Sequence, residues 1–544
     1  MRPASDLALR ILVYALLAVG VTWPLVTDPA GLVVGGPRSD VWNSLWGLWF
    51  VAEQGPLPQH TGLLDHPAGG RIAVADPLGA VLGLPLTRAV GPVAAYAASV
   101  LLNLVLGGVL ADRLARTLGG TGWLAGVGWM LAPLTLSHLQ NGSSEAIGIG
   151  WLPLACLAVL QAVQTGRWAW RLGAGAALWV CAMSGWYAGV GAWIFVSGVL
   201  VVGWGEAPFR ERAARLLPGA ALALAATLPW AAHVRATALA ADGLVDIKQA
   251  ADLARIRRTL GAADPRIFLL PGDFRSPDFA SLEGNPSDYV HTAYLGLVTL
   301  GLSIWATVRR GALGLRGRTG AWWWTIALAL TLSLGPVLVW DGRPLALGGR
   351  GVGLPLPYLA LEALPGFGSL SLLYRLAGVA VLGLCVLADR ATTARSWPAW
   401  AGMLAAEVLL LSPARSLPDV TPVPSGAPFA ALRADADGAV LDLPPTASRD
   451  YLYEQVLHGH PRVGSLNQGI NLAGLQLGRV ARAVRAEEAP PEALTEMARE
   501  QGIRWVVQHR NQLMEEEWIK AASALRAHGT VVAEDERVRV IQLY

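Results

Sequence analysis

The sequence predicts a mainly α-helical, polytopic membrane protein of about eleven spans, followed by a small α/β domain outside the membrane. Of its 544 residues, 53% are hydrophobic and only 15% are charged. The apolar residues come in runs of roughly 17–22, about the length that crosses a bilayer. Residues 414–544 instead mix charged residues with short apolar stretches. We therefore expect a transmembrane domain over 1–413 and a separate C-terminal domain over 414–544.

The predicted spans are separated by polar or glycine-rich loops. They cover residues 7–26, 94–112, 121–137, 146–163, 171–186, 188–205, 213–233, 291–308, 321–340, 371–388 and 397–413. The first run has the length of a signal peptide. No small-residue cleavage site precedes Pro24 and Asp28, so we interpret it as a retained helix.

Arginine residues mark one side of the predicted membrane domain. They flank the start of the first span and follow the second, fourth, sixth, eighth and tenth. Because short cytoplasmic loops are enriched in Lys and Arg, we place the N-terminus in the cytoplasm. An odd number of spans then leaves the C-terminal domain outside. The abundance of Ala, Gly and Arg is typical of a high-GC bacterial genome, so the expected location is a bacterial inner membrane.

Charge and cysteine content exclude several classes of protein. A net charge of only +3 gives no indication of nucleic-acid binding. The cysteines Cys156, Cys181 and Cys385 lie in apolar runs. Their spacing fits neither a disulfide framework nor a metal site. The long apolar runs, in contrast, predict the lipid bilayer as a partner.

The first external loop, residues 27–93, is too long for a simple connection. It contains an acidic residue, Asp40, directly before an aromatic pattern with helical spacing. The apolar positions of that pattern are Trp42, Leu45, Trp46 and Trp49. Asp40 has the position of a helix N-cap. Further along, residues 78–92 are interrupted by Pro85, which favours a helix along the membrane surface over another span.

The residues after 413 show alternating strand and helix patterns. Prolines between 418 and 428 indicate a linker. The strand predictions are Ala439–Leu443, Arg504–Gln508 and a hairpin over 529–543, and the helix predictions are 490–502 and 515–528. No nucleotide-binding loop, metal-ligand spacing or nucleophile elbow is recognisable in this part of the sequence.

Short motifs along nearly the whole chain resemble those of one superfamily of membrane enzymes. They are Ser39-Asp40 before the Trp-rich helix, Pro67-Ala68-Gly69-Gly70, Ala132-Pro133, His138-Leu139-Gln140-Asn141-Gly142, Trp151-Leu152-Pro153-Leu154, Ala293-Tyr294-Leu295-Gly296-Leu297, Leu364-Pro365-Gly366-Phe367, Tyr374-Arg375 and His458-Gly459-His460-Pro461. In this order they resemble the bacterial polytopic glycosyltransferases of the GT-C superfamily.

The resemblance implies a function for Asp40. GT-C enzymes take a sugar from a polyprenyl phosphate or diphosphate at the outer membrane face and carry an essential acid in the first external loop. Asp40 matches that position, so it would be the base that deprotonates the acceptor, a cell-envelope glycan, lipid or protein, in an inverting transfer. Many members have paired acids there, whereas Ser39 and Val41 flank Asp40. Capping of the Trp-rich helix is the alternative role.

Other polar residues on the same predicted face are candidates for substrate binding. Arg375 would hold the donor phosphate, since a guanidinium fork matches phosphate oxygens. The remaining candidates are His138, Gln140, Asn141, Glu145, Trp186, Tyr187 and Asp76. Each has a structural alternative: helix caps for the 137–145 turn, an interfacial belt for the aromatics, an interfacial anchor for Arg375, and a turn residue for Asp76.

Some GT-C enzymes use a divalent cation and others do not, so Mg²⁺ or Mn²⁺ stays open as a cofactor. The candidate ligands are Glu283, Asp288 and His291, which precede the eighth span. In the C-terminal domain, one helix and turn carries polar residues that either touch the acceptor or form an ordinary solvated surface. These are Glu454, Gln455, His458 and His460.

Two other function classes fit a polytopic chain. A transporter or flippase for a lipid-linked glycan would show internal repeats and ionisable residues within its spans. The sequence shows no repeat and few acids within the spans, which argues against it. A non-catalytic envelope scaffold of the same fold stays open because Asp40 has no adjacent acid.

Overall fold

The computed structural model describes residues 3–55, 60–73, 76–143, 148–240, 242–244, 250–259, 261–271, 290–309, 317–341, 343–345, 353–364, 366–411, 417–435, 437–444, 449–465, 472–486, 488–490, 492–510, 519, 523, 525–526 and 529–544. They form two compact units. Unit 1 comprises Met1–Val41, Asp76–Ala231 and Lys248–Thr421, and unit 2 comprises Trp42–Ala75, Ala232–Ile247 and Pro422–Tyr544. The predicted C-terminal domain thus shares its unit with part of the first loop.

The described structure is mainly helical. Its α-helices are α1 Pro3–Val21, α2 Val41–Gln54, α3 Pro77–Thr117, α4 Trp123–Met130, α5 Pro133–Gln140, α6 Trp151–Thr165, α7 Trp168–Ser184, α8 Trp186–Val201, α9 Phe209–Leu239, α10 Ala250–Arg257, α11 Leu297–Arg309, α12 Gly317–Ser333, α13 Tyr358–Glu362, α14 Ala377–Asp389, α15 Trp397–Leu411, α16 Ala430–Ala434, α17 Asp450–His458, α18 Leu472–Arg485 and α19 Glu492–Glu500. Its strands are β1 Leu32–Val34, β2 Val339–Trp340, β3 Arg343–Pro344, β4 Val420–Pro422, β5 Ala439–Leu443, β6 Ile503–His509, β7 Thr530–Glu534 and β8 Val538–Gln542.

Every predicted span overlaps a helix of unit 1, so the mainly helical class is confirmed. By length and composition, α3 and residues Phe209–Thr237 of α9 are long and apolar enough to cross a membrane. Shorter apolar helices are α6, α8, α11 and α15. The number of spans and their orientation stay predictions.

Helix α3 is interrupted by a kink. Gly91 has φ +86° and ψ 166° inside Pro77–Thr117, directly before Pro92. Proline disfavours the helical conformation in the residue before it, and glycine adopts a positive φ without a steric penalty. The prediction that residues 78–92 form a helix distinct from the following span is therefore confirmed, whereas its position along the membrane surface stays a prediction.

The centre of unit 1 is α14, in which every residue from Ala377 to Asp389 is buried. It packs against α3, α4, α8, α11 and α12. Its last residue, Asp389, accepts hydrogen bonds from the N–H groups of Gly122 (2.7 Å) and Leu124 (2.9 Å). The first turn of α4 is therefore capped by a carboxylate from a distant part of the chain, which satisfies N–H groups that lack a partner within the helix.

A second buried carboxylate has the same role. Glu407 of α15 accepts hydrogen bonds from the N–H groups of Leu297 (2.5 Å) and Val298 (3.0 Å) at the start of α11. Acids within apolar helices are costly unless they are paired. Glu407 lies within the eleventh predicted span and Asp389 directly follows the tenth. Since both acids bind helix ends, each has a structural explanation and does not require a transport pathway.

Unit 2 contains a four-stranded sheet in the order β5-β6-β8-β7. Strands β5 and β6 are parallel, and the other neighbours are antiparallel. Alternate residues of β6 face opposite cores, with Val506 in one apolar cluster and Trp505 and Val507 in the other. The predicted α/β character, its two strands and its closing hairpin are confirmed, while most of the predicted helix over 515–528 lies outside the described residues.

The Trp-rich helix α2 packs inside unit 2 from Trp42 onward. Of the four predicted apolar positions, Trp42, Leu45 and Trp46 are at most 2% exposed, and Trp49 is partly buried. The Trp46 indole N–H donates to Gln455 Oε1 of α17 at 2.8 Å. Its ring stacks on Phe50, with 4.6 Å between centroids. An indole can be buried fully when its N–H has such an acceptor.

Candidate functional site

Asp40 directly precedes α2 and is held by its backbone against the end of α5. Its N–H donates to the Asn141 carbonyl at 2.9 Å, and the Gly36 N–H donates to the Gln140 carbonyl at 2.8 Å. Gly142 has φ +56°, and a Cβ there would lie 2.5 Å from the Val41 nitrogen. Glycine is needed at this position for both the conformation and the close approach. The partly buried Asp40 is thus fixed by the 140–142 turn.

The same turn is joined to the segment before α11. The Asn141 side chain donates through Nδ2 to the Val290 carbonyl (3.0 Å) and accepts through Oδ1 from the Val290 N–H (2.8 Å). The next residue, His291, is buried, and its Nδ1 is hydrogen-bonded to the Tyr374 hydroxyl at 3.0 Å. Tyr374 precedes Arg375. Hydrogen bonds therefore connect the segments that carry Asp40 and Arg375.

A cavity in unit 1 brings together three of the predicted site residues. Its volume is about 50 Å³, and its lining includes His138, Tyr187 and Arg375. The remaining lining residues are Trp129, Leu134, Thr135, Gly148, Ile149, Leu152, Ser184, Ala188, Gly378 and Val379. The Arg375 cation on mostly apolar walls suits a ligand with an anionic group and an apolar chain.

Tyr187 contacts the segment that leads to Arg375. Its hydroxyl oxygen accepts hydrogen bonds from the N–H groups of Ser371 (3.1 Å) and Leu372 (2.8 Å). The Arg375 guanidinium carbon lies 5.7 Å from the centre of the Tyr187 ring, within cation–π range. Both contacts orient Arg375. The role predicted for Tyr187, stacking on a sugar ring, stays a prediction.

Other predicted site residues of unit 1 do not line this cavity, and two of them make hydrogen bonds within the protein. The Gln140 side chain exchanges two hydrogen bonds with Asp419, through Nε2 to Oδ2 (2.7 Å) and from the Asp419 N–H to Oε1 (2.8 Å). Asp76 caps α3 by accepting from the Gly79 N–H at 2.7 Å. Trp186 begins α8 and is 38% exposed. Glu145, Glu283 and Asp288 lie outside the described residues, so the structure tests neither these positions nor a metal site with His291.

The polar residues of α17 and the following turn are not on a solvated surface, as one sequence interpretation proposed. Glu454, Gln455, His458 and His460 are at most 6% exposed. Gln455 explains why: besides accepting from Trp46, it donates through Nε2 to the carbonyls of Leu63 (2.6 Å) and His460 (2.9 Å). A buried amide must satisfy its polar atoms in this way. These side chains hold unit 2 together from within.

Unit 2 also buries a cluster that the sequence did not indicate. Donor atoms of Asp442, Glu454 and His509 all lie within 4.8 Å of one another. Burial raises the pKa of Glu454 to about 7. Burial alone would lower the pKa of His509, but Glu454 and Asp442 raise it. Two features of the sequence hint at this cluster: an acid inside the apolar strand Ala439–Leu443, and a histidine at the end of the strand Ile503–His509. The three are too far apart in sequence to form a motif.

Known structures resemble the chain, although no family model and no curated protein matches it. The arabinofuranosyltransferase AftD from Mycobacteria superposes with a TM-score of 0.58 at 17% identity, over 99% of this chain and 40% of AftD. The chain therefore spans less than half the length of AftD. The oligosaccharyltransferase AglB from Archaeoglobus fulgidus, in complex with an inhibitory peptide and a dolichol-phosphate, gives 0.51 at 12% identity, over 92% and 69% of the two chains. ArnT from Cupriavidus metallidurans, bound to undecaprenyl phosphate, gives 0.44 at 15% identity, over 98% of each chain.

Proposed function

Because the chain has the fold of the GT-C glycosyltransferases, we propose that it transfers a sugar from a polyprenyl phosphate or diphosphate to a cell-envelope acceptor outside the cytoplasm. The observation that carries the proposal is the unit 1 cavity, where Arg375 faces apolar walls beside Tyr187 and His138. A lipid phosphate combines an anion with an apolar chain, which matches the charge of Arg375 and the apolar residues of the lining. The AglB structure in complex with a dolichol-phosphate supports this class of donor.

Arg375 would stabilise the departing phosphate. Its planar guanidinium offers parallel N–H donors to two oxygens, and it keeps its charge at any working pH. In the transition state, the bond between the anomeric carbon and the phosphate oxygen breaks while negative charge grows on that oxygen. A fixed cation at this position lowers the barrier without reorganisation. The ring of Tyr187, 5.7 Å from the guanidinium, would keep the fork oriented.

Asp40 would be the base. Its carboxylate would take the proton of the acceptor hydroxyl as the acceptor oxygen attacks the anomeric carbon from the face opposite the phosphate, which inverts the configuration. The partial burial of Asp40 and the backbone bond to Asn141 fit a group that must stay in place. The joined segments 140–142, 290–291 and 374–375 would set the distance between base and phosphate site.

The test uses the full chain, purified in detergent, with undecaprenyl-phosphate-linked hexoses and pentoses as donors. We expect Asp40→Asn to lower transfer by about 10²–10⁴-fold without changing thermal stability or binding of undecaprenyl phosphate. Arg375→Gln should weaken that binding by about 10–100-fold, the loss of charge-assisted hydrogen bonds of about 1.5–3 kcal/mol. The matched control is Asp28→Asn, at an exposed acid of the same loop.

Three outcomes would contradict the proposal. Full transfer by Asp40→Asn excludes that residue as the base. Movement of a labelled lipid-linked glycan across proteoliposomes, with no transfer to any acceptor, identifies a transporter. Failure to bind any polyprenyl-phosphate sugar, in a protein that is folded, identifies a scaffold.

A further inference from the structure

The buried cluster of unit 2 is separate from the cavity discussed above and plays no part in the proposed transfer. It comprises Asp442 near the end of β5, His509 at the end of β6, and Glu454 in α17. We propose that these three side chains bind one divalent metal ion of the zinc class, which fastens the two strands to the helix.

The distances between the donor atoms fit a metal ion. His509 Nε2 lies 3.3 Å from Asp442 Oδ1 and 3.5 Å from Glu454 Oε2. Zinc binds imidazole nitrogen and carboxylate oxygen at about 2.0–2.2 Å in tetrahedral sites, which places neighbouring donor atoms about 3.3–3.6 Å apart. The two edges that meet at His509 Nε2 therefore already have the length of tetrahedron edges around zinc, and all three donor atoms lie within 4.8 Å of one another.

Each carboxylate turns only one oxygen toward the histidine. The other oxygen of Asp442, Oδ2, pairs with Arg462 at 3.0 Å, and the other oxygen of Glu454, Oε1, pairs with Arg537 at 2.8 Å. Metal-binding carboxylates are typically oriented by such outer partners. The two arginines thus fix the carboxylates so that Oδ1 and Oε2 point into the same space as His509 Nε2.

Glu454 Oε2 supplies a second, independent observation. Its side chain is only 2% exposed, yet this oxygen has no hydrogen-bond partner among the described residues. A buried carboxylate oxygen that makes no hydrogen bond is energetically unfavourable, and more so when the group is charged. A metal ion bound between the three side chains would satisfy it.

The donor set selects the kind of metal. Ca²⁺ takes six to eight oxygen ligands, and Mg²⁺ requires octahedral oxygen coordination with several waters. Here one imidazole nitrogen accompanies two carboxylate oxygens, and the arginines offset the carboxylate charge. A borderline-soft ion that binds imidazole strongly and accepts four ligands fits best, and zinc has these properties.

The position explains what the metal would do. Asp442 and His509 lie at the carboxyl ends of neighbouring parallel strands, where the side chains of adjacent strands converge. Glu454 lies in α17, the helix in which the neighbouring Gln455 accepts the hydrogen bond of the buried Trp46. The ion would therefore be structural, joining the sheet to the part of unit 2 that packs on the Trp-rich helix.

The experiment measures metal content of the full chain in detergent. The protein is stripped with a chelator, dialysed against zinc chloride and then against metal-free buffer, and analysed by mass spectrometry for zinc. We expect one zinc ion per chain in the wild type. His509→Gln and Glu454→Gln should bind zinc at least about 100-fold more weakly, since even loss of an outer partner costs about 10–100-fold.

The matched control is Glu534→Gln in the same unit. Glu534 is a partly exposed acid that also pairs with arginines, Arg510 and Arg539, but lies outside the cluster. This variant should bind zinc as the wild type does. Arg537→Gln, which keeps all three ligands, should bind it about 10–100-fold more weakly.

Two further measurements use only the wild-type protein, so they test the proposal even if a cluster variant does not fold. Cobalt substituted for zinc should give the visible absorption of a tetrahedral site, and zinc should raise the Tm in a concentration-dependent manner. The proposal is overturned if the folded wild type retains no stoichiometric zinc and shows neither effect. It is equally overturned if folded His509→Gln binds zinc with wild-type affinity.

Discussion

The side chain of Asn141 and the backbone of Val290 exchange two hydrogen bonds, one through each polar atom of the amide. The backbone carbonyl of Asn141 also accepts the Asp40 N–H. A side-chain amide carries both a donor and an acceptor at its end, as a peptide group does. Asn141 can therefore pair with the N–H and the C=O of Val290 at once. It thereby joins two loops that are far apart in sequence and that both belong to the proposed site.

Asn141→Asp is expected to lower both transfer and stability. The substitution keeps the size and the acceptor Oδ1 but replaces the donor by a carboxylate oxygen, 3.0 Å from the Val290 carbonyl. The loss of the bond and the unsatisfied carbonyl should cost about 1–3 kcal/mol of unfolding free energy. Initial transfer rates and thermal unfolding of the purified chain measure the two effects. Unchanged values for both would mean that the Asn141–Val290 pair does not position the site.

Gly142→Ala is expected to abolish most of the transfer activity by displacing the Asp40 segment. The added Cβ would lie 2.5 Å from the Val41 nitrogen, closer than atoms can approach. The control is Gly119→Ala, at a glycine that also has a positive φ, +78°, but has open space around the new Cβ. Both variants carry the left-handed penalty of about 1–2 kcal/mol, so their difference in initial rate reports the displacement alone. Equal rates in the two variants would contradict the contact.

Tyr187→Phe is expected to raise the KM for the lipid-linked donor several-fold with a smaller effect on kcat. The hydroxyl that accepts from Ser371 and Leu372 is lost, which should cost about 1–3 kcal/mol of local stability. The ring beside Arg375 is kept. Tyr187→Leu removes both contacts and should raise the KM further. Steady-state kinetics over a range of donor concentrations separates the two parameters, and an identical KM in all three proteins would remove Tyr187 from phosphate binding.

Acid is expected to destabilise unit 2 through His458. Burial lowers the pKa of His458 to about 3, helped by His460 and Arg462 and opposed by Asp442. The His460 N–H donates to its Nδ1 at 3.0 Å, which requires that nitrogen to be unprotonated. An unfolded histidine has a pKa of about 6.5, so the unfolded state binds one more proton as the pH falls from about 6.5 to about 3. The unfolding free energy should therefore decrease on acidification within that window.

His458→Asn isolates this contribution, because the asparagine Oδ1 replaces Nδ1 as an acceptor but does not titrate. Urea unfolding followed by tryptophan fluorescence should show a pH dependence that is shallower than in the wild type by up to about 1.4 kcal/mol per pH unit. Identical slopes for the two proteins would mean that His458 is not the group that takes up the proton.

Much of the local structure could be predicted from the sequence. Apolar runs predict the helices of unit 1, and short strand-like stretches predict Ala439–Leu443 and the closing hairpin. Pro85 predicts that residues 78–92 form a helix of their own, whereas the structure places the break at Gly91, before Pro92. These features depend on neighbours within one or two helical turns, so each leaves a pattern in a short window of sequence.

The candidate site was only partly predictable for the same reason. His138, Tyr187 and Arg375 were each selected by residue type and by position at the end of an apolar run. Their common cavity follows from the packing of helices that are distant in the chain. The burial of His291 and its hydrogen bond to Tyr374 likewise depend on a distant segment, and its role as a metal ligand stays a prediction. The polar residues of α17 fit either acceptor contact or a solvated surface in the sequence, and their burial is not predictable because it depends on the partner that covers this face.

The sequence by itself determined that this chain is mainly helical, with long apolar runs and an acid before a tryptophan-rich helix, because length, hydropathy and periodicity are local properties. Only the tertiary structure decided what that acid is attached to and which side chains share a site. Asp40 is bound to Asn141 across about a hundred residues of chain, and Asp442, Glu454 and His509 converge from two strands and a helix. Contacts of this kind are selected by the packing of complementary surfaces, which no short segment encodes.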